Sequence, residues 1–175
     1  LVNFADTNPS FTQGDFDNLM NQENYKGIGS FRDFYKENSY GALDIETTVT
    51  PWIRLSGRRG DYTIDNTPAL IREALQAAVA DNSINLADYD NDGDGVLDGL
   101  AVIHQGGGQE ATGSSLDIWS HSSVVTGMSI NGIQVGRYTI EPETYGNTGQ
   151  ISTVGVVCHE FGHNLGAPDF YDTDY

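Results

Sequence analysis

Apolar positions along the 175 residues recur with two different periods, and the periods take turns. Leu1, Val2 and Phe4 read as a buried strand. Residues 15–22 (DFDNLMNQ) read as a short helix. Residues 29–41 (GSFRDFYKENSYG) read as another, with Ser30 as cap, Asp33 at the capping-box position and Gly41 just past the end. Residues 43–52 (LDIETTVTPW) alternate apolar and polar, which predicts a half-buried strand. In residues 66–82, Thr67 is the expected cap and Pro68 takes the first turn. Leu70, Ile71, Ala74, Leu75 and Ala78 then share one helical face.

The second half begins with GLAVIH (99–104), a continuous apolar run that predicts a strand covered on both faces. IWSHSSVV (118–125) predicts another strand. Asn131-Gly132 between apolar flanks predicts a tight type I′ hairpin. Residues 152–166 predict a helix ending at Gly166, buried because Val154, Val156 and Val157 are apolar. Strands and helices alternate, so the expected class is an α/β layered domain with a twisted mixed sheet. The length fits a single domain, residues 1–175, and no internal repeat or linker is visible. Both ends read as cut from something longer: the first residues are already strand-like, and Tyr175 lies just past the richest motif.

Composition narrows the partners. There are 25 acidic and 8 basic residues, a net charge of −17. Such a surface repels phosphate backbones, so no nucleic-acid partner is expected. No window approaches the ~20 apolar residues of a membrane span, and no signal peptide is visible. One cysteine, Cys158, excludes an internal disulfide framework and reads as a core thiol.

The chemistry concentrates near the C-terminal end. His159 and His163 are four apart on a predicted helix, so both imidazoles can face one ion. Glu160 lies beside that ion, where a carboxylate can take a proton from metal-bound water. Zinc suits such ligands, and a catalytic zinc keeps three protein ligands and one open position. Gly166 can end the helix in the left-handed region, and Pro168 stops it from resuming, so the chain can return Asp169 as third ligand. Asp172 is the rival. A Glu from a later helix would need chain beyond Tyr175.

A second cluster lies at residues 88–98 (DYDNDGDGVLD). Asp90, Asp92, Asp94, the Val96 carbonyl and Asp98 offer oxygens to one calcium ion, with Gly95 at the sharp turn. A register starting at Asp88 is the alternative. Neither supplies a closing bidentate Glu, a role open to Glu110. His104 and His121 read as structural, GGGQE as a turn near the site, and Tyr171 as able to polarise a substrate carbonyl.

Four stretches, FRDFYKENSYGALDI, YDNDGDGVLDGLAVIHQGGGQE, DIWSH and HEFGHNLGAPDFYDTD, resemble in order the immune inhibitor A family of secreted bacterial zinc metallopeptidases. The resemblance implies a metzincin-like zincin fold, secretion with a propeptide, and stabilisation by calcium. It implies that His159 and His163 are the zinc pair and Glu160 the general base. Asp169 falls where metzincins usually have a His. The Met-containing turn of those enzymes would lie beyond Tyr175, because Met20 and Met128 both precede the motif.

The expected function is peptide-bond hydrolysis of protein or peptide substrates. A zinc amidase acting on a non-protein substrate, and a catalytically silent calcium-bound binding module, are the rivals.

Overall fold

The structure is a computed structural model that describes residues 1–169. The expectations for Tyr171 and Asp172 lie outside the described residues. Strand β1 (Val2–Asn3) leads into helix α1 (Gln13–Asn21) and helix α2 (Phe31–Asn38). Both helices start in capping boxes, Thr12 with Asp15 and Ser30 with Asp33, each answering two orphan amide donors at once. Strand β2 (Ile53–Arg54) and helix α3 (Thr67–Ala80) follow. Then come strand β3 (Ala101–Gly107), helix α4 (Gln109–Thr112), strand β4 (His121–Val124), hairpin strands β5 (Ser129–Ile130) and β6 (Ile133–Gln134), strand β7 (Arg137–Thr144) and helix α5 (Val154–Asn164).

The main sheet runs β2-β1-β3-β7-β4. All its neighbours are parallel except β4, which pairs antiparallel with β7 and forms one edge. The α/β class with a mixed sheet is therefore observed. Two apolar layers cover the sheet. On one face α3 buries Leu70, Ile71, Ala74, Leu75 and Ala78 against Val102, Tyr138 and Ile140. On the other, α1, α2 and α5 pack Phe16, Phe31, Tyr35, Val157 and Phe161 around Ile103. Val102 and Ile103, adjacent in β3, thus serve opposite layers, as period-two side chains must.

Several expectations need correction. Residues 43–52 form no ladder. They run extended, with Leu43, Ile45 and Val49 half-buried and Asp44, Glu46 and Thr48 exposed, so the alternation is real. Side chains replace the missing strand partner: Thr47 N donates to Asn21 Oδ1 (2.9 Å), Asn21 Nδ2 donates to the Thr47 carbonyl (2.8 Å), and Gln13 Nε2 donates to the Val49 carbonyl (2.7 Å). Thr67 is not the cap of α3 but its first residue, buried, with its hydroxyl donating back to the Thr63 and Ile64 carbonyls. The strand expected over 118–125 is confined to 121–124.

The largest omission is β7, the strand between β3 and β4. Its Pro142 costs no ladder bond, because β4 ends opposite Ile140 and has no residue left to pair there. Its Glu143 is fully buried yet satisfied, accepting from Ser10 N (2.5 Å), Phe11 N (2.9 Å) and Gly106 N (3.1 Å). The hairpin turn is as expected, with Asn131 at φ 52° and Gly132 at φ 90°.

Candidate metal centre

Helix α5 lies across β7, its Val157, Cys158 and Phe161 facing the sheet and α2. The Tyr35 hydroxyl donates to the Cys158 carbonyl (2.7 Å), and Phe31 and Tyr35 meet the Phe161 ring edge-on. This packing sets the rotation of α5. His159 consequently faces solvent, His163 is half-buried, and Glu160 is buried. The two imidazoles lie with ring centroids 4.8 Å apart.

Past Asn164 the chain turns. Gly166 takes φ 92°, a conformation that suits glycine, and Ala167 N bonds back to the Gly162 carbonyl. The return places Asp169 Oδ1 3.3 Å from His159 Nε2 and 3.4 Å from His163 Nε2. Two atoms each about 2.0–2.1 Å from a tetrahedral ion lie about 3.3–3.4 Å apart, so these separations fit one zinc-sized centre. The His163 Nδ1–H donates to the Ala167 carbonyl (2.7 Å), which leaves the Nε2 lone pair for a metal. The helix-ending turn thus supplies both the Asp169 carboxylate and the orienting contact. A carboxylate oxygen of Glu160 lies within 4.8 Å of the two imidazole ligand atoms.

Burial pushes the Glu160 carboxyl above the ordinary carboxylate range. The imidazoles of His159, His163 and His121 and the Ser122 amide pull the other way. A base with a raised pKa is better matched to a proton transfer near neutral pH.

Strand β4 runs alongside. Val125 N bonds the Gly136 carbonyl (2.9 Å), and in this register the hydrogen-bonded pairs are 121–140 and 123–138. The backbone groups of Ser122 and Val124 therefore point off the open edge of the sheet. Glu110 caps the start of this edge, accepting from Ser120 N (3.1 Å) and Ser120 Oγ (2.8 Å).

At the acidic loop the structure brings Asp90, Asp92 and Asp94 together, ligand atoms within 4.8 Å of one another. Gly93 and Gly95 both take positive φ, which curls the loop around the three carboxylates. Asp98 instead accepts from Asn91 N (2.9 Å) and Asn91 Nδ2 (2.6 Å), and Asp88 accepts from Asn85 (3.0 Å). Glu110 is held at Ser120 and does not reach this loop as a closing ligand. The loop docks on the hairpin through Gln134 N to the Gly95 carbonyl (2.8 Å) and Leu97 N to the Gln134 carbonyl (2.9 Å). The Val96 position is thereby fixed beside the carboxylates.

The other singled-out histidines and the cysteine are tied into the fold, and His121 also lies close enough to Glu160 to favour its charged form. His104 is fully buried against Phe4, and burial lowers its pKa. His121 bonds the Trp119 carbonyl (2.7 Å) and the Tyr138 hydroxyl (3.0 Å). Burial pushes the Cys158 thiol up to about 12, far from a nucleophile's range. Ser122 and Asn164, joined by a 2.7 Å hydrogen bond between β4 and α5, were not singled out in the sequence. Asn164 follows His163 directly, and its place one turn after Glu160 was the available signal.

Residues 8–175 match the catalytic domain of the immune inhibitor A peptidase M6 family. The chain is 36% identical, over 188 aligned positions, to immune inhibitor A of Bacillus thuringiensis subsp. alesti, covering 85% of this chain and 26% of that protein. It is 31% identical, over 202 aligned positions, to the pre-pro-metalloprotease PrtV of Vibrio cholerae serotype O1, covering 91% of this chain and 21% of that protein. The chain therefore spans about a quarter of the length of these relatives, and a metal is implied by the class they name. On the family match and these identities, the chain belongs to the immune inhibitor A family of metallopeptidases.

Proposed function

We propose that this chain is the catalytic domain of a secreted zinc endopeptidase of zincin type, with α5 as its active-site helix. The observation that carries this is the approach of Asp169 Oδ1 to both His159 Nε2 (3.3 Å) and His163 Nε2 (3.4 Å), two tetrahedral-edge separations meeting at one carboxylate oxygen. Zinc held there would polarise a water and the scissile carbonyl. Glu160, buried beside the two imidazoles, takes the proton of the attacking water and returns it to the leaving amine. Two imidazoles and one carboxylate leave the centre near +1 rather than +2, which places more of the work on Glu160. The outward Ser122 carbonyl and the outward amide and carbonyl of Val124 bind an extended peptide as an added strand, which fixes its scissile bond over the centre.

The Asp90, Asp92 and Asp94 group takes calcium, with the Val96 carbonyl and Asp98 completing the expected set. Asp98 must leave Asn91 to join it. The calcium role is structural, because the loop is bonded to the hairpin and not to α5. Secretion and a pro-segment are supported by the pre-pro-metalloprotease relative.

A casein digest with the full-length enzyme, wild type against Glu160→Gln, tests the reading. Near-complete loss in the variant, with zinc content unchanged, is expected. Equal cleavage by both, or activity surviving a zinc chelator, overturns it.

A further inference from the structure

Beneath α5 lies a row of polar side chains that the proposed chemistry leaves unused. Glu141, on β7, is fully buried, and neither carboxyl oxygen makes a hydrogen bond of ordinary geometry among the described residues, although the Thr139 hydroxyl lies close enough to favour its charged form. Thr139, two residues earlier on the same face of the strand, is also fully buried with its hydroxyl unpartnered. Thr139 stands directly opposite Ser122 on β4. Ser122 Oγ meets one end of the Asn164 amide, while the other end is buried without a partner. Asn164 lies one helical turn from Glu160. Glu160, Asn164, Ser122, Thr139 and Glu141 thus form a seam between helix and sheet. Donors and acceptors are both present in it and incompletely matched. The Glu143 carboxyl, on the same face of β7, takes three backbone amides. Glu141 takes none, so its purpose is not to tie the backbone.

Burial pushes this carboxyl well above the ordinary carboxylate range; the Thr139 hydroxyl works against that, and the nearby Glu160 carboxyl adds to it. In its protonated form Glu141 is a donor as well as an acceptor. A seam of unmatched donors and acceptors is the chemistry that takes up ordered water. An apolar residue would pack there at lower cost, as Ile103, opposite Glu141 on β3, does.

We propose that Glu141 is a positioning residue for the general base, holding Glu160 from within the sheet through a water-filled hydrogen-bonded seam shared with Thr139 and Asn164. This rests on Glu160 acting as the base. Displacement of a reacting group by about 1 Å can cost about a hundredfold in rate, so the effect falls on kcat and spares KM.

The test uses the full-length enzyme with Glu141→Met, Glu141→Gln and Glu160→Gln on one peptide substrate. Glu141→Met is expected to lower kcat by about tenfold to a hundredfold, with KM nearly unchanged and a melting temperature at or above that of wild type. Glu141→Gln, a neutral group of the same size that keeps a donor and an acceptor, is expected to recover kcat to within about threefold of wild type. A protonated-carboxyl band in the infrared spectrum of wild type is expected to vanish in Glu141→Gln. Wild-type kcat in Glu141→Met, or Glu141→Gln no better than Glu141→Met, overturns the proposal. Should Glu141→Met fail to fold, Glu141→Asp replaces it: it keeps the acid but withdraws it by one methylene. It must then lose kcat where Glu141→Gln keeps it, and equal rates overturn the proposal. Full activity in Glu160→Gln would instead refute the base assignment, and the infrared band would still report on Glu141.

Discussion

Two glutamates of this chain are buried against α5 and differ in what they touch. Glu160 has imidazoles and a strand amide nearby, so it can carry charge. Glu141 has neither, and its burial favours the neutral form. General-base roles are worth about 10²–10⁴ in rate, and Glu160→Gln is expected to lower kcat at least that far without releasing metal, as read by metal analysis of the purified variant. Glu141 makes a different prediction, for stability against pH. Its pKa is raised on folding, so the native state binds more protons than the unfolded chain above the ordinary carboxylate value. Its contribution is complete below about pH 4.3 and is lost as pH rises towards the folded value. The loss runs at no more than about 1.4 kcal/mol per pH unit. The gap in melting temperature between Glu141→Gln and wild type should therefore widen from pH 4 to pH 8 in favour of the variant. A gap that stays constant would mean that Glu141 ionises normally.

At the scale of elements, β7 does most to organise the site, and what the sequence concealed is that both of its faces are covered. Tyr138, Ile140 and Pro142 alternate with Thr139, Glu141 and Glu143, which reads as a strand with one wet face. That face is instead buried beneath α5 and the segment around Ser10. No period in the residues reveals that a carboxylate will be enclosed by backbone amides 132 and 133 residues away. Glu143→Gln, which replaces one charged acceptor oxygen with a donor, is expected to cost about 1.5–3 kcal/mol in denaturant unfolding. A cost near zero would contradict the three-amide account. Elsewhere the patterns were sufficient. The face of α3, the capping box at Ser30 and the Asn131-Gly132 turn rest on local chemistry, and each is observed. Residues 43–52 had the right alternation but no partner strand, because Asn21 and Gln13 take the backbone bonds that a ladder would have used. The three converging side chains of the metal centre were legible because they lie within eleven residues on one helix and one turn. The seam below them was not, since it draws on β4, β7 and α5 together.

Over the whole molecule, charge and topology act together. The surplus of 17 negative charges is densest at the Asp90–Asp94 loop, where three carboxylates share one space. Such a group is self-repelling unless a cation intervenes. Through Gly95, Leu97 and Gln134 the loop is bonded to the hairpin, and through Val125 and Val135 the hairpin connects to the β4–β7 edge. Calcium at a hundred times its dissociation constant should stabilise the domain by about 2.7 kcal/mol, and Asp92→Asn should remove most of that gain. A melting temperature indifferent to calcium would disprove the site. The central claim, though, is that one metal joins α5 to its terminal turn. Diffraction from crystals of the zinc-loaded protein, recorded at the zinc absorption edge, tests it most directly. One anomalous peak is expected about 2 Å from each of His159 Nε2, His163 Nε2 and Asp169 Oδ1. A map with no peak between those three atoms, or with a peak held by other side chains, would contradict it.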